Sequence, residues 1–261
     1  MEASFMWYNE KQYFYNNSVR LAYIDYGKGE PILLIHGFAS NAILNWVDTG
    51  WASLLTEAGY RVIAIDNRGH GDSEKIYEED AYTPEHMVDD AYKLLQHLNI
   101  NKAHIMGYSM GARVSAYFSL IHSDMTQSLI LGGLALGLVH GSGAWAPIHD
   151  AMLAEDVSTI TSQRGFLFRK FADNNKSDRR ALAMCIISSK KELSAEQVGQ
   201  IVTPTLVVVG EKDEISGSAE KLVELMPNAV AITLPRRNHM LAVGDKLYKD
   251  SALEFLKKHK L

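Results

Sequence analysis

The stretch Gly107-Tyr108-Ser109-Met110-Gly111 determines how the rest of this 261-residue sequence is interpreted. It matches the pattern G-x-S-x-G, in which a serine occupies a sharp turn between a strand and a helix. An apolar run at residues 103–106 comes directly before it, and a helical pattern at residues 111–122 follows. This order predicts that Ser109 is a nucleophile held at such a turn.

The two glycines of the motif fit the crowding at a strand-to-helix turn. Little room is left beside the serine backbone, so its neighbours must be small. The turn also places Ser109 at a helix N-terminus, where free N–H groups and the helix dipole stabilise negative charge. A serine that only caps the helix would give a similar sequence. The remaining motifs favour the nucleophile.

Short apolar runs alternate with longer amphipathic stretches along most of the chain. This is typical of an α/β protein with a mostly parallel, doubly wound sheet and crossover helices. Continuous apolar runs predict six buried parallel strands, at residues 31–35, 61–65, 103–106, 128–131, 205–209 and 229–234. Helices are predicted at residues 44–58, 84–98, 111–122, 219–226 and 246–258. Residues 12–16 and 19–26 are predicted to form an antiparallel hairpin.

The alternation stops between residues 137 and 200, where helical patterns continue without a strand signal. We therefore predict a helical lid at residues 137–200, inserted into a core of residues 1–136 and 201–261. Its glycine-rich start is typical of a hinge-like loop. Trp145, Phe166 and Phe168 are candidates for binding substrate, although packing within the lid is the alternative role for its apolar side chains.

A histidine and a carboxylate follow the last two predicted strands. Asp213 comes shortly after residues 205–209, and His239 comes shortly after residues 229–234. Because the carboxyl ends of parallel strands meet at one edge of the sheet, both residues are expected near Ser109. The order Ser, Asp, His predicts a catalytic triad with His239 as general base and Asp213 as its orienting acid.

Three other residues compete for these roles. Glu211 and Glu214 flank Asp213 and are alternative acids, and His70 is an alternative base. The position of Asp213 and His239 after late strands favours them over these neighbours.

Taken together, these motifs resemble the α/β-hydrolase superfamily, and in particular its lidded serine esterases and lactonases. The resemblance covers essentially the whole chain. Besides the serine turn it rests on four further stretches, namely His36-Gly37-Phe38, residues 66–73, residues 210–213 and Asn238-His239-Met240. Family members often have a proline shortly after the acid, whereas this chain has Glu214-Ile215.

The resemblance implies acyl transfer without a cofactor. The backbone N–H groups of Phe38 and Met110 would form the oxyanion hole, and His36 would support their loop rather than transfer protons. The implied substrate is an ester, thioester or lactone of a small to medium, largely apolar molecule, cleaved through an acyl-enzyme at Ser109. A serine in this place argues against the dehalogenase and epoxide hydrolase branches, which use aspartate there.

Two other functions remain compatible with these residues. One is hydrolysis of a carbon-carbon bond by the same fold. The other is a ligand receptor or scaffold that retains the triad with little turnover, since a fold does not fix a function. Repeated turnover would distinguish an enzyme from such a receptor.

Composition argues against several further classes. The net charge is −5 and basic residues are scattered, so nucleic-acid binding is not expected. No G-x-G-x-x-G follows the first parallel strand, and the ten histidines lack metal-ligand spacing. The single cysteine, Cys185, cannot form an intrachain disulfide. Residues 1–5 lack the features of a secretory signal and no run is long enough to span a membrane, so a cytoplasmic location is expected. The oligomeric state does not follow from the sequence.

Overall fold

The chain follows the predicted alternation of strands and helices over residues 10–261, which are the residues that the computed structural model describes. The N-terminal stretch considered for a secretory signal lies outside this range. Eight strands form one sheet, with bounds β1 Gln12–Asn16, β2 Val19–Tyr26, β3 Glu30–Ile35, β4 Tyr60–Ile65, β5 Ala103–Tyr108, β6 Thr126–Gly132, β7 Thr205–Gly210 and β8 Ala229–Leu234.

The strand order is β1-β2-β4-β3-β5-β6-β7-β8, and all neighbours from β4 to β8 are parallel. The predicted hairpin joins β1 to β2 through a two-residue turn, in which Asn17 has a φ of 52°. Asparagine tolerates this left-handed conformation better than most residues. In the sheet, β4 lies on one side of β3 and β5 lies on the other, so the order of successive strands reverses at this point. Such a reversal leaves a crevice at the carboxyl ends of β3 and β5.

The helices that cover the sheet have the bounds α1 Trp51–Glu57, α2 Pro84–His97, α3 Met110–Ile121, α9 Ala219–Val223, α10 His239–Ala242 and α11 Lys246–Lys258. The prediction of one helix over residues 44–58 was wrong. Residues Ile43–Val47 form a separate wide helical turn, and α1 starts only after Gly50, whose φ of 80° breaks the helix. Glycine adopts this conformation without a steric cost.

Apolar side chains of the strands alternate between two cores, one on each face of the sheet. On β3, Leu33 and Ile35 belong to the core that contains α2 and α3, whereas Ile32 and Leu34 belong to the core that contains α1 and α11. Both faces are thus covered, which confirms the predicted doubly wound α/β architecture.

The segment between β6 and β7 contains five α-helices, α4 Gly137–His140, α5 Ala146–Leu153, α6 Gln163–Asn174, α7 Arg179–Ser188 and α8 Ala195–Gly199, and a short 3-10 helix at Val157–Thr159. Helix α5 packs against both α6 and α7. Side-chain caps from Ser162, Asp178 and Ser194 begin α6, α7 and α8. Cys185 is fully buried on α7.

One stability prediction concerns the contact between α3 and β3. A Cβ atom added to Gly111 would lie 2.0 Å from the Ile35 carbonyl oxygen, and backbone cannot move aside as a flexible side chain would. We expect Gly111→Ala to lower the free energy of unfolding by about 1–3 kcal/mol, the typical cost of overpacking. At Gly199 the nearest atom is 3.5 Å away, so Gly199→Ala is the matched control. Urea denaturation measures both, and equal stability of the two variants would contradict this packing.

Candidate active site

Ser109 occupies a strained turn between β5 and α3. Its φ is 55° and its ψ is −114°, a conformation that residues other than glycine rarely adopt. The turn is held by the Ser109 N–H, which donates to the Gly132 carbonyl at 2.8 Å. A Cβ atom on Gly107 would lie 2.1 Å from the Gly111 carbonyl oxygen. The close approach therefore requires both glycines of the motif.

The structure brings Ser109, His239 and Asp213 into one hydrogen-bonded row. The distance from Ser109 Oγ to His239 Nε2 is 3.0 Å, and that from His239 Nδ1 to Asp213 Oδ2 is 2.8 Å. Asp213 lies in the loop after β7, and His239 is the first residue of α10 after β8. The three residues thus meet at the carboxyl edge of the sheet.

The environment of Asp213 favours its ionised form. Its side chain is inaccessible to solvent, and burial alone raises the pKa of a carboxyl group. The hydrogen bond and charge of His239 and the amides of Ile215 and Ser216 outweigh this, so the pKa of Asp213 is lowered overall. These amides donate to Oδ1 at 2.9 and 3.1 Å. An ionised Asp213 accepts the His239 Nδ1–H and leaves Nε2 free to accept a proton from Ser109.

Tyr108 supports the histidine, a role that the sequence did not indicate. Its hydroxyl donates to the His239 carbonyl oxygen, and the two rings lie 5.6 Å apart. Burial raises the pKa of Tyr108 well above its usual value, so the phenol remains a donor. Only the fold shows this contact, because the two residues are 131 positions apart.

The loop after β3 faces the serine turn. The Gly37 N–H donates to Asn45 Oδ1 at 3.1 Å, which fixes the loop in place. Within residues 10–261, the N–H groups of Phe38 and Met110 have no acceptor in the chain. Two free amides beside a serine hydroxyl are the kind of donors that can receive the oxygen of a tetrahedral intermediate. Asn45 is a further supporting residue that sequence reasoning missed.

Two other histidines, His36 and His70 of the loops after β3 and β4, are buried. Desolvation by burial lowers the pKa of both His36 and His70 to about 3, so both are neutral at ordinary pH. His36 accepts the Asn67 N–H at 3.0 Å and supports the loop, and the ring nitrogen Nδ1 of His70 lies 2.9 Å from the Arg68 carbonyl oxygen. It is therefore His239, and not His70, that contacts Ser109.

The alternative acids lie away from the histidine. Glu211 and Glu214 are exposed, and Glu211 accepts the Arg236 N–H at 2.7 Å. Asp213 is the carboxylate that reaches His239.

A narrow cavity of about 30 Å³ opens beside Ser109, and both the core and the segment between β6 and β7 line it. Its apolar walls come from Phe38, Met110, Leu134, Trp145, Phe168, Ile186 and Ile215, and its polar walls from Ser109, Arg113, Ser142, Ser189 and Lys190. The sequence did not single out the last four.

Two of the three aromatic candidates reach this cavity. Trp145 and Phe168 line it, and the Phe168 ring lies 5.8 Å from that of Phe38. Phe166 does not, and its ring lies 5.6 Å from Lys170 Nζ instead. Residues two apart on a helix point about 200° apart, so Phe166 and Phe168 cannot face the same cavity.

In the part of the chain that the structure describes, no three His, Cys, Asp or Glu side chains come together as metal ligands would. Over the same residues, none of the helices combines the length and apolar character needed to cross a membrane.

The family model described as the alpha/beta hydrolase fold matches residues 30–161. The chain belongs to the α/β-hydrolase family. This α/β hydrolase is 28% identical to a non-heme chloroperoxidase of Kitasatospora aureofaciens, over 93% of this chain and 98% of that protein. It is 25% identical to a 2-hydroxy-6-oxo-6-(2'-aminophenyl)hexa-2,4-dienoic acid hydrolase of Metapseudomonas resinovorans, over 91% and 88%.

Among solved structures, a bromoperoxidase from Bacillus anthracis has the same fold. Its TM-score is 0.79 at 22% identity, covering 95% of this chain and 100% of that one. Family membership supports an enzyme of the hydrolase type.

Proposed function

We propose that this α/β hydrolase is a serine hydrolase that cleaves an ester, thioester or lactone through an acyl-enzyme at Ser109. The observation that carries the proposal is the continuous hydrogen-bonded row from buried Asp213 through His239 to Ser109, with Ser109 held in a strained turn. This arrangement contains a nucleophile, a base and a group that orients the base.

The chemistry follows from this row. His239 Nε2 takes the Ser109 proton as Oγ bonds to the substrate carbonyl carbon, which becomes tetrahedral and carries a negative oxygen. The bond to the leaving group then breaks as His239 returns the proton to it. Water, deprotonated by the same nitrogen, attacks the acyl-enzyme, and the acid leaves as Ser109 is reprotonated.

The free amides of Phe38 and Met110 donate hydrogen bonds to the negative oxygen, both when the acyl-enzyme forms and when water hydrolyses it. Preorganised backbone donors stabilise the developing charge, and loss of one such donor in other enzymes costs about 3 kcal/mol of transition-state stabilisation. Asp213 stabilises the imidazolium that forms at His239 without taking its proton.

For residues 137–200 we propose the role of a lid over a core of residues 1–136 and 201–261. Trp145 and Phe168 extend from this segment into the wall of the cavity beside Ser109. Two aromatic walls favour the apolar part of a small to medium substrate and exclude water from the acyl-enzyme.

Carbon-carbon bond hydrolysis is the second candidate for the same site. The likeness to a hydrolase of a hexadienoic acid, over most of both chains, favours it. Steady-state kinetics distinguish both kinds of hydrolase from a receptor that retains the triad, because such a receptor turns over little substrate.

The test of the proposal is covalent labelling. A fluorophosphonate should modify Ser109 alone and abolish ester hydrolysis, because the Ser109 hydroxyl bonds to His239 and lines the cavity. The Ser128 hydroxyl also bonds to a histidine, His104, but Ser128 is fully buried and out of reach of the reagent. Ser109→Ala should be neither labelled nor active, whereas Ser123→Ala, at an exposed turn, should behave as wild type. Peptide mass spectrometry locates the adduct. Full activity in a protein without an adduct at Ser109 would refute the proposal, and labelling without repeated turnover would favour the receptor.

A second prediction separates Asp213 from its neighbours. Asp213→Asn should keep the fold but lower kcat by on the order of 10⁴, the loss known for the corresponding replacement in serine proteases. Glu211→Gln and Glu214→Gln should change kcat little, because both carboxylates are exposed and away from His239. Steady-state kinetics with circular dichroism decide the matter. If Asp213→Asn had near-normal activity and one of the glutamine variants were inactive, the acid that orients His239 would be that glutamate.

A third prediction concerns the lid. Trp145→Ala and Phe168→Ala should shift the preference among esters of graded acyl length, since both side chains line the cavity. Phe166→Ala removes a ring of the same size from the same helix as Phe168 and should leave the preference unchanged. Relative kcat/KM values across the series report the effect. Identical profiles for all three variants would show that the segment does not select the acyl group.

A further inference from the structure

We propose that the cavity beside Ser109 binds a carboxylate, so that the acyl group of the substrate carries an acid a few bonds from the carbonyl that Ser109 attacks. The residues that bind it are Arg113, Ser142 and Lys190, named here the anion subsite. This inference rests on the proposed function for the identity of the reacting carbonyl, but the subsite itself stands on independent observations.

Arg113 is a buried cation that forms no ion pair within residues 10–261. Its side chain lines the cavity and the residue is only 3% exposed. Its guanidinium donates to the carbonyl oxygens of Lys191 at 2.8 Å and Gly137 at 3.3 Å. Within residues 10–261 no carboxylate lies at ion-pair distance from it. The charge of Glu192 acts on Arg113 only from an exposed position.

Other arginines of this chain show how such groups are usually accommodated. The similarly buried Arg68 pairs with Asp90 at 2.7 Å, and Arg169 pairs with Asp173 at 2.8 Å. A buried charge left unpaired is costly. A guanidinium has five N–H donors, and two carbonyl oxygens leave others available. The missing partner of Arg113 is therefore expected to be an anion that enters the cavity.

Lys190 adds a second positive charge to the same cavity. It is half-buried, and in the described part of the chain it forms no ion pair. The cavity wall includes no aspartate or glutamate, although the whole chain carries a net charge of −5. Two cations that face a cavity without an acid favour an anionic ligand.

Ser142 supplies an uncharged donor at the same place. Its Oγ is buried and lacks a hydrogen-bond partner in residues 10–261, although it lines the cavity. It lies beside Gly137, because a Cβ atom on that glycine would be 2.7 Å from it. Since Arg113 bonds to the Gly137 carbonyl, the hydroxyl and the guanidinium both lie next to Gly137 and line the same cavity. A carboxylate between them would satisfy both.

The position of Arg113 sets the separation of acid and carbonyl. Arg113 follows Ser109 by four residues at the start of α3, which is about 6 Å along a helix axis and places both on one face. A carboxylate there lies a few carbon atoms from a carbonyl at Ser109, with the apolar walls around the chain between them. A dicarboxylic half-ester or an oxo acid has this form.

Arg113 also has a structural role, since Gly137 and Lys191 lie near the two ends of the segment 137–200. Replacing Arg113 could therefore disturb the fold. A substitution of Lys190 tests anion binding without this structural role, because the Lys190 side chain bonds to neither end of the segment and contributes only its charge. Its neighbour Lys191 is exposed and pairs with Glu85, which makes it the matched control.

The experiment compares two substrates by their release of nitrophenolate. One is the 4-nitrophenyl monoester of glutaric acid, which carries a free carboxylate. The other is methyl 4-nitrophenyl glutarate, in which this carboxylate is methylated and neutral. Wild type should prefer the anionic ester by about tenfold or more in kcat/KM. Lys190→Gln should lower kcat/KM for the anionic ester about tenfold more than for the neutral one, whereas Lys191→Gln should keep the wild-type preference. No preference in wild type, or one that survives Lys190→Gln, would overturn the anion subsite.

Binding measurements distinguish this failure from failure of the proposed function. Ser109→Ala should bind glutarate but not 1,5-pentanediol in calorimetry, and Lys190→Gln in that background should weaken glutarate binding about tenfold. If this binding is found while wild type hydrolyses neither ester, the subsite stands and the ester hydrolase proposal is wrong. If wild type hydrolyses both esters equally and glutarate does not bind, the hydrolase stands and the subsite is wrong.

Discussion

The strained turn at Ser109 is the constraint on which the rest of the structure depends. A serine with a φ of 55° between β5 and α3 is tolerated only because the flanking glycines allow the helix to approach within contact of β3 and of the turn itself. That approach brings the loop of Phe38 against the helix N-terminus. The same packing thus fixes Ser109 and the two free amides in one arrangement.

Electrostatics at the carboxyl edge of the sheet complete this arrangement. Asp213 keeps its charge in a solvent-free position because His239 and two amides compensate for its burial. The buried histidines of the neighbouring loops are held neutral by desolvation and serve as hydrogen-bonding supports. Partners outweigh the effect of burial at Asp213, which stays charged, whereas burial outweighs the partners of His36 and His70, which stay neutral.

Much of this was accessible from the sequence, because periodicity and local motifs encode it. The parallel strands, the serine turn and the positions of Asp213 and His239 all follow from apolar runs and their flanking residues. The break at Gly50 was missed because the apolar pattern continues across it. Phe166 was grouped with Phe168 although helical spacing separates their directions.

Contacts between distant parts of the chain could not be predicted in this way. The support of Gly37 by Asn45, and of the His239 carbonyl by Tyr108, depends on how loops meet after folding. The absence of an ion pair at Arg113 within residues 10–261 could not be predicted either, because it depends on which carboxylates lie near Arg113 after folding. Such relations between side chains carry most of the information on what the site binds.

The most direct measurement of the central claim is the crystal structure of an alkylboronic acid adduct, which mimics the tetrahedral intermediate. We expect boron bonded to Ser109 Oγ, one boronate oxygen within hydrogen-bond distance of the Phe38 and Met110 amides, and His239 beside another. A boronate attached to a different residue, or one whose oxygen points away from both amides, would contradict the account.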